Sequence, residues 1–247
     1  MARITLNRPD KRNAISYELI DDLLAALAAC EKSDAQVVII TGAGKAFCSG
    51  MDLDNLKAIT SRTHEENVKD SGTMAKLFRT IYDFPKPTIS AVNGAAVAGG
   101  CGIATLCDFT IASRDAKFGY TEVKIGFLPA IVSTFLLLQV GEKQARDLLL
   151  TGRIISADEA HRIGLVTEVV DPGKELARAE ELAAQLMANS PASVRATKAL
   201  LSDFAKRKLD DQIKIAVDEN ARIRTTKDFR EGVTSFLEKR KPKWTGK

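Results

Sequence analysis

One stretch constrains this chain more than any other. Pro87–Cys107 runs for 21 residues without a charged side chain, yet it holds only five large aliphatics and is broken by Gly94, Gly99, Gly100 and Gly102. A run of that length could span a bilayer, but Pro87, Asn93 and four glycines argue for a buried strand, a turn and a helix of small residues. Thr88–Val92 reads as the strand, Asn93–Ala98 as the turn, Gly99–Leu106 as the helix, with a further strand over Asp108–Ser113. Such a segment folds only inside a substantial core.

The flanking pattern supplies that core. Ala2–Leu6 alternates as a strand, Ser16 is placed to cap a helix with Leu19, Ile20, Leu23, Leu24 and Leu27 on one face, and Gln36–Thr41 is a buried-strand run. Strand, helix and strand within about forty residues predict a right-handed crossover between parallel strands. Asp54–Asp83 reads as polar helix stopped by Pro85 and Pro87, Ser133–Val140 as an apolar helix, Ser156–Glu159 as a helix start and Leu165–Val170 as the last strand. From Gly173 the pattern is helical, with Ser190-Pro191 as cap and first-turn proline. These readings place a boundary between residues 1–187, a core of repeated β-β-α-like turns, and 188–247, a helical C-terminal region.

Charge narrows the function classes. The chain carries 36 basic and 32 acidic residues, a net +4, and residues 236–247 alone account for all of it. The body is neutral, which argues against nucleic-acid binding, since that needs a basic stripe on the fold. Four cysteines without a CxxC pair read as reduced, cytoplasmic thiols, and two histidines, His64 and His161, without ligand spacing argue against a zinc site or a histidine triad. The N-terminus is too charged for a signal peptide, so the expectation is a soluble protein. Thr41–Ala46 lacks the first glycine and the Ser/Thr of a phosphate loop, Phe47 stands where a dinucleotide fingerprint needs glycine, and no G-x-S-x-G is present.

Two glycine-rich turns remain, Phe47–Leu53 and Asn93–Cys101, each after a strand and before a helical segment, where small residues let backbone approach a ligand. For either turn alone, tight helix-on-strand packing explains the glycines equally well. The strings NRPDKRNAIS, KAFCSGMDL, PKPTISAVNGAAVAGGCGIATLCDFTIAS, AKFGYTEVKIGFLP, LLTGRIISADEAHRIGLV, SPASVRATK and REGVTSFLEKRKPKW together resemble the enoyl-CoA hydratase/isomerase (crotonase) superfamily, in order and along nearly the whole chain.

The resemblance implies an α/β fold, a crotonase-like spiral of β-β-α turns with a helical C-terminal subdomain, assembling as a homotrimer or as a hexamer of paired trimers. It implies an acyl-CoA thioester substrate, coenzyme A being part of that substrate so that no separate cofactor is needed, and a place in fatty-acid metabolism of the β-oxidation kind. By motif position the backbone amides of Met51 and Gly99 form an oxyanion hole and Glu122 moves the proton. Ser49, Asp52 and Leu53 of the first turn, Lys45 beside it, and Phe236 with Lys239 in the tail fall at substrate- and CoA-binding positions, the tail pair in reach of its own or a neighbouring subunit's site; Arg12 is a weaker candidate. Tyr120, Thr121 and Asp108 are candidates to hold a water, Asp108 also to begin a strand.

Two departures stand out. Hydratases of the superfamily carry a second Glu where this chain has Gly102, which leaves three readings open: hydration of a 2-enoyl-CoA, 3,2-enoyl-CoA isomerisation through one carboxylate, or a non-catalytic acyl-CoA or RNA-binding protein on the same fold. Relatives also place a further strand or two before RITLNRP, which predicts a shorter sheet edge here.

Overall fold

The computed structural model describes all residues, Met1–Lys247. Strand β1 (Ala2–Leu6) leads to helix α1 (Tyr17–Lys32), which begins where the Ser16 hydroxyl accepts a hydrogen bond from the Leu19 amide (3.2 Å). Strands β2 (Val38–Gly42) and β3 (Ala46–Cys48) follow. Helices α2 (Leu53–Ala58) and α3 (His64–Tyr82) then replace the single helical stretch expected; the break comes at Thr63, which forms a reciprocal capping pair with Glu66. The charge-free run becomes β4 (Thr88–Val92), β5 (Ala95–Val97) and α4 (Gly99–Thr105). Within the expected turn, β5 is a strand because Ala96 is small enough to lie buried between two neighbours.

Next come β6 (Phe109–Ser113), β7 (Lys117–Gly119), α5 (Ala130–Thr151, bent at Gly141), β8 (Ile155–Ser156), α6 (Ala157–Arg162) and β9 (Glu168–Val170). The last strand is thus shorter than the pattern suggested, and α5 much longer. Helices α7 (Glu175–Met187), α8 (Pro191–Ile223) and α9 (Lys227–Leu237) complete the chain. No helix is long and apolar enough to cross a membrane.

The strands form two sheets. One is parallel throughout in the order β1-β2-β4-β6-β9; the other runs β3-β5-β7-β8, parallel except for its last pair. Each advance of the chain adds one strand to each sheet (β2 and β3, β4 and β5, β6 and β7), so the path is a spiral of β-β-α turns. Strand β2 is buried from Val38 to Thr41 because both faces are covered, and the Thr41 hydroxyl donates to the Ala91 oxygen (2.8 Å). Val38 and Ile40 join the main core, while Val37 and Ile39 meet Ala179 and Ala183 of α7. Helix α8 lies along α3 and α5, with Leu209 and Ala216 in that same main core. Strand β1 is the sheet edge.

Candidate active site

The two glycine-rich turns meet backbone to backbone. Gly50 adopts φ +89°, and a Cβ there would lie 3.0 Å from the Ala98 Cβ and 3.2 Å from the Val97 carbonyl oxygen. A Cβ on Gly100 would lie 2.4 Å from the Cys48 carbonyl oxygen. These approaches are open only to glycine. Ile15 pins the first turn: its amide donates to the Gly50 oxygen (2.8 Å) and its oxygen accepts from the Asp52 amide (2.9 Å). Alternation along an extended chain turns the intervening Met51 amide the other way, where it has no acceptor in the protein. In the second turn Ala98 takes φ +50°, ψ −128°, a shape rare for a residue with a Cβ. Its amide donates to the Gly119 oxygen (2.7 Å), and its own oxygen accepts from the amides of Cys101 and Gly102, so the Gly99 amide is left free at the start of α4.

Met51 and Gly99 both line a cavity of about 920 Å³. Its outer walls are the exposed Asp10, Lys11, Arg12, Leu53, Phe236 and Arg240; its inner walls are Met74, Phe78, Leu128, Ile131, Asn220 and Arg224. Glu122 lines the same cavity. It begins a short 3-10 turn, Glu122–Ile125, that leaves β7 and ends at Gly126 with φ +66°. Its side chain is buried, its Oε2 has no partner, and no cation pairs with it. Burial pushes its carboxyl from 4.5 up to about 7, against a smaller opposing pull from its own backbone amide. The other acids on the wall differ: Asp10 and Asp54 are exposed, and Asp52 is paired.

The turn carrying Glu122 leans on α9. A Cβ on Gly232 would sit 2.2 Å from the Ile125 oxygen and one on Gly126 2.6 Å from the Asp228 oxygen, while Phe229 packs against Phe127 with ring centroids 5.2 Å apart. At Gly102 a Cβ would lie 2.9 Å from both Phe78 Cζ and Val132 Cγ1. Those side chains close the space a longer residue would need.

The expected binding residues divide. Ser49, Leu53 and Phe236 line the cavity of their own chain. Asp52 borders it, but its carboxylate is taken up by Arg8 (2.9 Å) and by capping the Asp54 amide (3.0 Å). Lys45 is exposed just ahead of the wall residue Ala46 and does not reach the cavity. Lys239 does not reach it either: beyond the end of α9 it turns left-handed, φ +54°, and Arg240 takes the wall position instead, anchored by Glu231 (2.6 Å). Arg12 is on the wall beside Lys11.

Of the candidate water holders, Thr121 lines the cavity, Tyr120 is buried against Thr105 (3.1 Å), and Asp108 lies elsewhere, bound to Lys198 (2.6 Å) and to the amide and hydroxyl of Thr88. His64 faces Asp218 and His161 meets the Val166 oxygen (3.0 Å), neither on the cavity. Cys48 and Cys101 are packing residues whose thiols burial pushes up to about 12. Sequence reasoning missed Arg240, Asn220 and Arg224. The last two lie about a hundred residues from Glu122, Asn220 on α8 and Arg224 just past its end, where no local signal marks them as buried.

Comparison with known proteins follows the same lines. The sequence model of the family described as enoyl-CoA hydratase/isomerase matches residues 1–247. A Thermus thermophilus protein provisionally named an enoyl-CoA hydratase is 45% identical over 245 residues, covering 99% of this chain and 97% of its own. A crotonyl-CoA hydratase of Syntrophomonas wolfei is 37% identical over 254 residues, covering 100% and 95%. The crystal structure of an enoyl-CoA hydratase from Mycobacterium avium superposes with a TM-score of 0.88 at 33% identity, covering 98% and 93%.

Proposed function

The chain belongs to the enoyl-CoA hydratase/isomerase family, and from that premise we propose that it adds water across the double bond of a 2-enoyl-CoA thioester with Glu122 as its single acid–base group. It is an acyl-CoA-processing enzyme of the hydratase/isomerase type on a crotonase fold. The observation that carries the finer reading is Glu122 itself: a buried carboxyl with a free oxygen and no cation, on the wall that also holds two unpartnered amides.

The thioester oxygen accepts hydrogen bonds from the Met51 and Gly99 amides. As the water oxygen bonds to C3, the double-bond electrons move through C2 to that oxygen, where each fixed donor stabilises the developing charge by about 3–4 kcal/mol. Glu122, ionised, takes the proton from the water and then returns it to C2, so one group serves as base and acid. A carboxyl near 7 suits both steps at neutral pH. Lys11 and Arg12 at the mouth supply cations for the phosphates of coenzyme A, which arrives with the substrate, while Arg240 is held beside them by Glu231 and Glu238; the reaction calls for no other cofactor. The apolar Leu200, Leu201, Phe204 and Ile215, exposed on α8, support assembly of copies as trimers or paired trimers. A cytoplasmic enzyme of fatty-acid breakdown is the setting that fits.

Closure of the Gly102 site by Phe78 and Val132 favours a second reading. Without another carboxylate to activate water, Glu122 can take a proton from C2 of a 3-enoyl-CoA and return it to C4, moving the double bond. Product analysis by mass and NMR after incubation with 2-enoyl- and 3-enoyl-CoA thioesters in D2O separates the two. Addition of water to the 2-enoyl thioester, abolished in Glu122→Gln, is expected. A shifted double bond bearing deuterium, with no water added, would establish isomerisation in its place.

A further inference from the structure

The turn that carries Glu122 is closed by its own backbone. The Phe127 amide donates to the Glu122 oxygen (3.0 Å) and the Gly126 amide to the Val123 oxygen (3.3 Å), the paired closure that ends a helical turn at a left-handed glycine. A 3-10 turn of four residues has little stability of its own and takes its place from what packs on it. The carboxyl therefore stands where Phe127 and Leu128 let it stand.

Both residues are gripped from the end of α8. Asn220 Nδ2 donates to the Leu128 oxygen (2.9 Å), and the Arg224 guanidinium lies 5.1 Å from the centroid of the Phe127 ring, the ring that also meets Phe229. Neither grip is free to drift. Asn220 Oδ1 accepts from the Ser71 hydroxyl (2.6 Å) and from Arg224 Nη2 (2.7 Å). Two donors at one end of the amide decide which way it points and leave Nδ2 for Leu128. Arg224 Nη1 in turn donates to Asp70 (2.5 Å) and Asn67 (3.3 Å) of α3. The Arg224 and Asp70 side chains, 1% and 3% exposed, form a buried pair, and Asp70 is held in place by Tyr17 of α1 (2.5 Å). Such a pair adds little stability over apolar packing of the same shape. What it adds here is direction, fixing one guanidinium plane and one amide against the segment that follows Glu122.

We propose that Asn220 and Arg224 are positioning residues for Glu122, holding its turn against the cavity through Leu128 and Phe127. The catalytic half of this proposal rests on the reading of Glu122 as the acid–base group. With either grip removed, the turn loosens and water reaches the carboxyl, so the burial that raises it is lost in part. Cys101 and Tyr120, the buried titratable groups whose charge would act on Glu122, are both held protonated at neutral pH by burial. Asp52 on the same wall is paired with Arg8.

Two variants that change no charge test the proposal. Asn220→Ala removes the anchor of Leu128; Phe127→Leu removes the gripped ring and leaves the buried network whole, so it decides if Asn220→Ala fails to fold. Three readouts apply: hydrogen exchange over residues 122–128, carbon-13 NMR titration of the Glu122 carboxyl (assigned by its absence in Glu122→Gln), and kcat on 2-butenoyl-CoA. The Phe127 amide is expected to exchange at least about tenfold faster than in the wild type while β4 keeps its protection. The titration midpoint should fall from about 7 towards 4.5, and kcat should drop about ten- to a hundredfold, the cost of a displaced catalytic group. A purely structural role would lower the unfolding midpoint and leave exchange and titration of the folded protein unchanged. Wild-type exchange and titration, or a wild-type kcat where Glu122→Gln is inactive, overturn the proposal. A loosened turn and a lowered midpoint alongside an active Glu122→Gln support the positioning and sink the acid–base reading instead.

Discussion

Replacing Glu122 with Gln should remove activity and at the same time make the protein more resistant to unfolding in alkaline buffer. In the folded chain this carboxyl holds its proton to about pH 7, whereas an unburied glutamate releases it near 4.5. Below 4.5 both states are protonated and the difference has no effect. Between 4.5 and 7 the unfolded chain gives up its proton while the folded chain keeps it. Above 7 folding must bury an anion that has no cation partner. The native state of the wild type therefore loses stability as pH rises through this window, by about 3 kcal/mol in total at 1.36 kcal/mol per pH unit. Gln has no proton to lose and escapes the penalty. Urea unfolding of both proteins at pH 5 and pH 8.5, at one protein concentration, should show the variant gaining about 2–3 kcal/mol on the wild type between the two conditions. Parallel stability curves across that range would mean that Glu122 is not buried and unpaired in solution, and the acid–base argument would fall with it.

Three further outcomes follow from the same geometry. The kcat/KM for hydration should rise with pH and level off above about 7, because Glu122 must be ionised to accept the water's proton; a flat profile between pH 5.5 and 8 would contradict its role. Met51→Ala should keep kcat within about tenfold of wild type, since the donor is the peptide amide and survives the change, whereas losing a donor outright costs about 10²–10³-fold; steady-state kinetics decides. Gly102→Glu should lose more than about 3 kcal/mol of stability without gaining hydration rate, because its Cβ alone would stand 2.9 Å from Phe78 and Val132; denaturation and an activity assay read both parts.

How much of this was legible in the sequence depended on whether the signal was local. The Ser16 cap, the apolar stripe of α1 and the buried run Val38–Thr41 of β2 follow from neighbouring residues, and the structure has them where the pattern put them. Strand β5 was hidden because Ala95-Ala96-Val97 lacks the bulk that marks strands; its conformation comes from the strands on either side. Lys239 and Arg240 are adjacent in a basic string, and only the left-handed turn at Lys239 selects which one meets the cavity. Glu122 could be singled out by resemblance alone, since one glutamate after a glycine carries no spacing information. Its burial and its free oxygen are properties of the assembled wall. Arg224 and Asn220 belong to the same class: a buried polar pair at the end of a long helix looks like any solvated turn until α3 and Phe127 are brought against it.

The support that α9 gives to the Glu122 turn has a consequence for the order of events on the ribosome. Both glycine-rich turns and all nine strands lie before residue 171, and their core can close without α9, whose buried residues Phe229 and Val233 belong to a separate small cluster with Leu56 and Ile59. Yet the turn that presents the carboxyl rests on Asp228, Phe229 and Gly232, which emerge after every other element of the chain. A nascent chain can thus hold a formed sheet core and two positioned amides while its proton carrier has no wall to stand on. If Glu122 carries the proton, a chain clipped ahead of residue 227 is expected to keep its sheet core and to lose its activity.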